Sequence, residues 1–443
     1  MRDGTLYRQV NLTFREEFDA LIESGVYQAL LDERLIGPHQ EVDTALAPAA
    51  DAYKGIRPEP IEFISYPYEW SFSQLRDAAL ATLRIQRIAV DHGMSLRDAS
   101  AYNIQFRRGK PVLIDTLSFE KLRVGEPWVA YRQFCQHFLA PLALMSYRDV
   151  RLGQLARIHL DGVPLDLAAR LLPFRARLRP SLLLHLFAHA KSQKRHEGTT
   201  DARKKTGGRR VSPQALRGLM QSLENAVKKL SWKPDRTVWS GYYAEGDSYT
   251  AEGLEEKRRL VSDFLTEADP KAVWDFGGNT GLFSRIASER GISTVCFDVD
   301  PSCVDANYRD ATERRDENVL PLLLDLTNPS PSIGWENQER LSVRERGPVD
   351  CIMALALIHH LAIANNVPLP RLAAFLADLC RTLIIEWVPK NDPKVQTLLA
   401  TREDIFPNYT NEGFERAFGD RFVIERREEI SGSDRILYLM RTP

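Results

Sequence analysis

The chain has 443 residues, 44% of them hydrophobic and 27% charged, which is ordinary for a soluble globular protein and enough for two or three domains. Lysine and arginine number 59 against 60 acids, a formal net charge of -1, so no overall basic excess points to nucleic acid. Five scattered cysteines (Cys135, Cys296, Cys303, Cys351, Cys380) form no CxxC pair, which argues against zinc and against a disulfide framework. The start, MRDGTLYRQVNLTFREEF, is charged and has no apolar signal core, and no greasy run is long enough to span a bilayer. A cytoplasmic protein without a membrane span or a metal site is expected.

In chain order, FSQLRDAALATLRIQRIAVDHG reads as one amphipathic helix, with Leu75, Ala79, Leu83 and Gln86 or Arg87 on the helical period. A short hairpin, YNIQFRRGKPVLIDTLSF, follows, and then the helical segments WVAYRQFCQHFLAPLALMSY and LDLAARLLPFRARL. Residues 1–190 are therefore expected as a mostly helical α+β domain. Within it, LRDASAYNIQFRRGKPVLID spaces Asp98, Asn103 and Asp115. This resembles the catalytic and metal-binding segments of protein-kinase-like and aminoglycoside-phosphotransferase-like folds. The resemblance implies that one Asp accepts a hydroxyl proton while the Asn and second Asp hold magnesium, with EFISYPYEW near the hinge. The departures are Leu96 before the first Asp, Thr116-Leu117 after the second, and no glycine-rich loop before residue 60. Lys54 is the candidate phosphate-pairing lysine. A kinase-like fold serving substrate holding or scaffolding, actual phosphotransfer, and simple turn ordering by Asp and Asn all stay open.

KSQKRHEGTTDARKKTGGRR carries eight basic residues against two acids and almost nothing apolar, so residues 191–211 are expected as a basic flexible linker. An arm contacting RNA or phosphate is the sharper alternative. Ser212-Pro213 is a helix start, a hydroxyl cap followed by proline at the first helical position. Residues 212–443 are then expected as the second domain, beginning with a helical lid.

From Lys271 the apolar runs KAVWDF, STVCFDV, NVLPLLLDL, DCIMALALI and RTLIIEWV are separated by helix-length segments, the pattern of βαβ units and a parallel sheet. FVIERREEI and RILYLMR are joined only by Ser431-Gly432-Ser433-Asp434 and should form an antiparallel hairpin. The expected fold is α/β, a Rossmann-like seven-stranded sheet with its last strand antiparallel.

The first βα turn reads Asp275-Phe276-Gly277-Gly278-Asn279-Thr280-Gly281. Counting from Gly277, the third and sixth positions are Asn279 and Leu282, so the dinucleotide glycine pattern fails, and no Gly-Lys-Ser/Thr makes a phosphate loop. Two carboxylates, Asp275 and Asp298, with no base in the loop repel phosphate and suit a ligand bearing an ammonium, a ribose and a sulfonium. Val273 to Pro301 resembles the cofactor motifs of class I S-adenosylmethionine-dependent methyltransferases, with asparagine at the middle glycine. The likeness covers about Val238 to Arg441. It implies that Gly277, Gly278 and Gly281 line the methionine moiety with Asp275 beside them, that Asp298 holds the ribose and Asp325 meets the adenine amino group, and that Asn279, Thr280, Phe283, Val299, Leu326 and Leu357 also bind the cofactor. Leu357-Ile358-His359-His360, ending the fourth strand, would form the lip of the methyl-transfer pocket. More loosely, ALALIHHLAIANNVPL and REDIFPNYT resemble bacterial methyltransferases related to a nodulation protein.

His359 or His360, ending the fourth strand, is the candidate base for a hydroxyl or nitrogen acceptor, and Glu386 at the end of the fifth could bind it. TVWSGYYAEGDSYTAEGLEEK, with Trp239, Tyr242, Tyr243, Tyr249 and Lys257, suits a lid with an aromatic facing the sulfonium. No Asn/Asp-Pro-Pro-aromatic motif stands at Ile358-His359-His360-Leu361, which argues against amino methylation of a nucleobase. The reading is a methyltransferase acting on an oxygen or nitrogen of a small-molecule, glycan or lipid-linked acceptor. An RNA or protein methyltransferase, a non-catalytic cofactor-binding scaffold, and a bifunctional protein with an N-terminal phosphotransferase are the alternatives.

Overall fold

The computed structural model describes residues 5–44, 49, 51–188, 211–234, 249–400 and 402–443. The chain divides into two compact units, residues 1–233 and 234–443. Most of the basic 191–211 stretch, and Trp239, Tyr242 and Tyr243 of the lid segment, lie outside the described residues. Among the described residues no helix is long and apolar enough to cross a membrane. All five cysteines are buried and free.

In the first unit, strands β1 (Arg8–Asn11), β2 (His39–Val42) and β3 (Ala52–Pro58) form an antiparallel sheet in the order β1-β3-β2. Helix α1 (Arg15–Glu23) follows β1. Helix α2 (Phe72–Asp91) covers the run expected from its period. Its start is set by Ser71, whose hydroxyl accepts from Gln74 N at 3.3 Å while Gln74 returns a bond to Ser71 N at 2.9 Å. Strands β4 (Met94–Leu96) and β7 (Phe119–Lys121) pair antiparallel around the hairpin β5 (Ile104–Arg107) and β6 (Lys110–Leu113). The hairpin turns through Arg108 and Gly109, both at positive φ.

Helix α3 (Pro213–Lys228) begins at the Ser212 cap as expected, Ala215 N donating to Ser212 Oγ at 3.2 Å. It does not open the second domain. It packs on α2, with Arg217 on Asp91 at 2.7 Å and Arg87 on Glu224, and the first unit runs to Lys233. The boundary expected at residue 212 is corrected to 233/234. An amphipathic helix advertises an apolar face but not the partner that covers it.

The second unit holds α4 (Ala251–Ala268), β8 (Ala272–Phe276), α5 (Ser284–Ser288), β9 (Ser293–Asp298), α6 (Pro301–Arg314) and β10 (Val319–Leu323). It continues with β11 (Val349–Ala354), α7 (Leu369–Ala377), β12 (Cys380–Trp387), α8 (Pro393–Leu399), α9 (Asn411–Gly419), β13 (Val423–Glu429) and β14 (Ile436–Arg441). The sheet order is β10-β9-β8-β11-β12-β14-β13. The pairs β10/β9, β9/β8, β8/β11 and β11/β12 are parallel, and β14 runs antiparallel to both β12 and β13. This is the Rossmann-like seven-stranded sheet, with its last strand antiparallel, that the methyltransferase resemblance implies. Its central strands read as continuous apolar runs because helices cover both faces. Val273, Met353, Ile384 and Leu439 of the sheet pack with Val261 and Phe264 of α4. Edge strand β13 instead alternates exposed and half-buried positions. The strand order reverses between β8 and β11, and a parallel sheet opens a crevice beyond its carboxyl ends at such a point.

Candidate active site

A cavity of about 620 Å³ occupies that crevice. Its floor is the bend after β8. Gly277 and Gly281 take positive φ (72° and 81°), and Asn279 is at 53°, a left-handed conformation that asparagine tolerates better than most residues. Gly278 is required for a different reason: a Cβ there would come 2.4 Å from Cys296 Sγ and 2.7 Å from the Asp275 carboxylate. The backbone can lie against β9 only because that side chain is missing.

Asp298, at the end of β9, lines the cavity with both oxygens oriented by backbone. Asn279 N donates to Oδ2 at 2.9 Å and Asp300 N to Oδ1 at 2.8 Å. Burial pushes its carboxyl up to about 6 despite those bonds. Asp275 is also raised to about 6 by burial, and Ser284 Oγ donates to it at 2.6 Å. No base lies between Asp275 and Ser284. Arg285, just beyond, is committed to Asp310 at 2.5 Å, Thr280 O at 2.8 Å and Asn307 at 3.0 Å. The bend therefore offers a ligand carboxylate and amide groups but no cation.

Of the residues expected to bind cofactor, Gly277, Asn279, Asp298, Val299, Asp325, Leu326 and Leu357 line the cavity. Asp275, Gly278, Thr280, Gly281 and Phe283 do not; they shape the bend from beneath. Phe283 lies in the core cluster, turned inward by the helical turn that follows the bend. The wall also contains Phe297, Leu324, Thr327, Leu355 and Ala356, and beyond them Leu361, Ala364, Asn365, Lys394, Thr397 and Leu398. The first group follows the strand ends and was within reach of sequence reasoning. The second group comes from the wide turn His360–Ala364 and its exit and from α8, where no local pattern marks a site.

The two histidines divide. His360 lines the cavity, while His359 is fully buried behind it, the rings 4.0 Å apart. Among the described residues neither ring nitrogen of His359 has a hydrogen-bond partner, and burial, then His360, Arg435 and Lys257, hold its pKa well below the ordinary imidazole value. Burial and then Arg435 lower His360 to about 4. Both rings are neutral at neutral pH.

Glu386 is not placed to receive an acceptor. It is fully buried, with Lys257 Nζ at 2.6 Å, Arg435 Nη1 at 3.4 Å and the Tyr249 hydroxyl donating to it. Burial alone would raise its pKa, but Lys257 and Arg435 hold it below the usual range. Arg435 also pairs with Asp392 at 2.8 Å. Tyr249 presents its ring to Lys257, 4.7 Å away, where an aromatic facing the sulfonium was expected. Strand position put Glu386 at the right edge of the sheet; two buried cations claimed it.

In the first unit, Asp98 caps its own turn, accepting from Ser100 N at 3.0 Å and Gln133 Nε2 at 2.8 Å. Asp115 accepts from Arg8 at 3.2 Å and Ser118 Oγ at 2.6 Å, and Asn103 donates to the same Ser118 at 3.4 Å. Lys54 pairs with Glu41 at 2.5 Å. Among the described residues no group of three or more His, Cys, Asp or Glu is arranged to hold a metal.

No family model matches the chain. The nodulation protein NoeA of Rhizobium meliloti (strain 1021) is 39% identical over 385 residues, 85% of this chain and 80% of that one. Among solved structures, magnesium protoporphyrin IX methyltransferase (ChlM) from Synechocystis PCC 6803 with bound S-adenosylhomocysteine matches at 21% identity over 43% of this chain and 84% of its own, TM-score 0.31. The N-methyltransferase NodS from Bradyrhizobium japonicum WM9 matches at 11% over 44% and 98%, TM-score 0.33. The bifunctional kinase-methyltransferase WbdD matches at 18% over 46% and 43%, TM-score 0.31. The fold assignment rests on strand order and direction, and the family on the identity and coverage of the curated relative. The chain belongs to the family of the nodulation protein NoeA.

Proposed function

We propose that residues 234–443 form an S-adenosylmethionine-dependent methyltransferase acting on an oxygen or nitrogen of a small-molecule, glycan or lipid-linked acceptor. The observation that carries this reading is the cavity at the sheet's switch point, with an oriented carboxylate and a base-free glycine bend on one side and a neutral imidazole on the other. A carboxylate at a strand end accepts both hydroxyls of a ribose, and a cation-free bend favours a positively charged sulfur nucleoside over a nucleotide.

When bound, the cofactor supplies a methyl group that is already electrophilic. The remaining task of the chain is alignment, and holding two reactants in line supplies several kcal/mol of rate enhancement. His360 stands on the wall in its neutral form and receives the acceptor's proton. With a pKa near 4 it is a weak base, so the proton moves late, once the new bond to carbon has made the acceptor strongly acidic. His359 packs behind and fixes the position of the His360 ring. For residues 1–233 we propose a holding or scaffolding role, supported by the commitment of Asp98, Asp115 and Lys54 to neighbours.

Calorimetry tests the reading directly. S-adenosylmethionine and S-adenosylhomocysteine should bind, NAD and ATP should not, and labelled methyl donor added to extract from cells lacking the protein should mark the acceptor. Tight uptake of NAD or ATP with indifference to S-adenosylhomocysteine would end it.

A further inference from the structure

A second cavity, of about 150 Å³, lies in the first unit beside the hairpin of β5 and β6. Four bases line it, Arg34, Arg107, Arg108 and Lys110, and among the described residues no acid does. Its apolar wall is buried, Ile36 being 2% and Val112 4% exposed, and a water-poor wall strengthens attraction between charges beside it. The backbone brings these bases together. Helix Val26–Asp32 closes with Arg34 N donating to Leu31 O at 2.9 Å and Leu35 N to Leu30 O at 2.8 Å. The next residues run along β6, with Leu113 N on Leu35 O and Gly37 N on Leu113 O, both at 2.8 Å.

Two of the bases stand where the backbone favours other residues. Arg34 closes its helix at φ 55°, a place usually held by glycine. Arg108 opens the two-residue hairpin loop at φ 48°, with Gly109 at 70°, where asparagine, aspartate or glycine is favoured. Long cationic side chains kept at left-handed positions are strain of the kind that gathers at ligand sites. Arg108 and Lys110 have no side-chain hydrogen bond or ion pair among the described residues. Arg107 pairs with Glu59 through Nη2, while its Nε is buried with no partner among the described residues. Arg34 holds an interaction of its own and adds charge to the cavity, not a free donor.

We propose that this cavity binds a phosphate dianion, free or as the terminal group of a phosphate monoester, with Arg108 and Lys110 supplying two charges and Arg107 Nε a further donor. The charge match selects the group: a phosphate monoester carries between about -1.5 and -2 at pH 7, whereas a sulfate ester or a phosphodiester carries a single charge. Bases converging on one small cavity take a terminal group, not the run of internal phosphates along a nucleic acid. NAD, whose phosphates are internal, and magnesium–ATP, whose phosphates already surround a cation, fit it poorly. The site goes beyond methyl transfer and does not depend on what residues 234–443 do. It gives the holding role of the first unit a chemical class of ligand.

Calorimetry on the full chain tests the site with glucose 6-phosphate, glucose 6-sulfate and inorganic phosphate. Glucose 6-phosphate should bind saturably and more tightly than the sulfate ester. It should bind about tenfold more weakly in Arg108→Gly and in Lys110→Ala, as loss of one charge-assisted hydrogen bond predicts, and Lys110→Arg should retain it. Glycine suits the left-handed turn, so Arg108→Gly should unfold thermally no earlier than the parent, which separates lost binding from misfolding. Inorganic phosphate binding as tightly as the ester would assign the site to the free ion, and weaker binding of it would assign the site to an esterified phosphate. Absence of saturable binding, equal binding of the sulfate ester, or unchanged affinity in either Arg108→Gly or Lys110→Ala would overturn the proposal.

Discussion

The two units carry similar polar residues and treat them in opposite ways. In residues 1–233, Asp98, Asn103 and Asp115 have the spacing of a phosphotransfer site, yet each acid is satisfied by neighbours: Gln133 and Ser100 for the first, Arg8 and Ser118 for the second. In residues 234–443, Asp298 is just as well bonded, but its donors are backbone amides that orient it toward a cavity of about 620 Å³. A carboxylate serves a ligand when its neighbours fix its direction and leave one edge open; it serves the fold when they surround it. Glu386 is the fold-serving case inside the second unit itself.

That contrast is broken or sharpened by measurement. The largest effect is expected at Glu386. Glu386→Gln leaves Lys257 and Arg435 buried beside a neutral amide and should lower stability by about 3–5 kcal/mol, seen as an earlier unfolding transition of this unit in urea. A change under about 1 kcal/mol would mean the pair is not buried in solution. Next comes Asp298→Ala, which should weaken S-adenosylhomocysteine about 100-fold by calorimetry, since two charge-assisted ribose bonds go at once. Normal affinity there would contradict the ribose assignment. His360→Ala should slow single-turnover methyl transfer about 100-fold with cofactor affinity intact, whereas His359→Ala should act through packing and stability. Full turnover in His360→Ala would remove the proton acceptor proposed here.

The pH dependence carries a sign. Asp275 and Asp298 have folded pKa values of about 6, above the ordinary aspartate value of about 4. The native state therefore holds more protons than the unfolded one between those values, and these groups make the unliganded unit more stable as pH falls through 6. Cofactor affinity should move the other way, because a protonated Asp298 loses an acceptor for the ribose. Thermal unfolding with and without S-adenosylhomocysteine from pH 7.5 to 5 should show the two curves converging on the acid side, and parallel curves would refute the coupling. The smallest effect is expected at Asp115→Asn, about 1 kcal/mol or less, because the Arg8 pair is partly exposed. ATP with magnesium should bind neither the parent nor this variant; binding that vanishes in the variant would restore the phosphotransfer reading.

Much of the second unit was legible because it is written locally. Alternating apolar runs and helix-length spacers specify the seven strands, and a four-residue turn forces the last one back. The glycine bend and its acids could be recognised from composition alone. Three features were not legible. The helix after Ser212 shows an apolar stripe whose partner helix lies far back in the chain, Arg217 meeting Asp91 across 126 residues. His359 and His360 are neighbours on a helical turn, so they point about 100° apart, and only packing shows which one meets the cavity. Lys394 stands in an unremarkable helix that becomes a wall only when α8 folds beside the turn at His360–Ala364.

Backbone conformation and strand register depend on neighbours within a few residues, and for those the amino-acid order sufficed: strand count, direction, the left-handed bend, the acid at the tip of β9. Availability is a different property. Whether a carboxylate or imidazole meets a ligand depends on what distant segments place against it, and burial with a counter-charge costs or contributes several kcal/mol according to that placement alone. Lys257 and Arg435 approached Glu386 from opposite ends of the unit and withdrew it from chemistry, and only the folded arrangement could decide that.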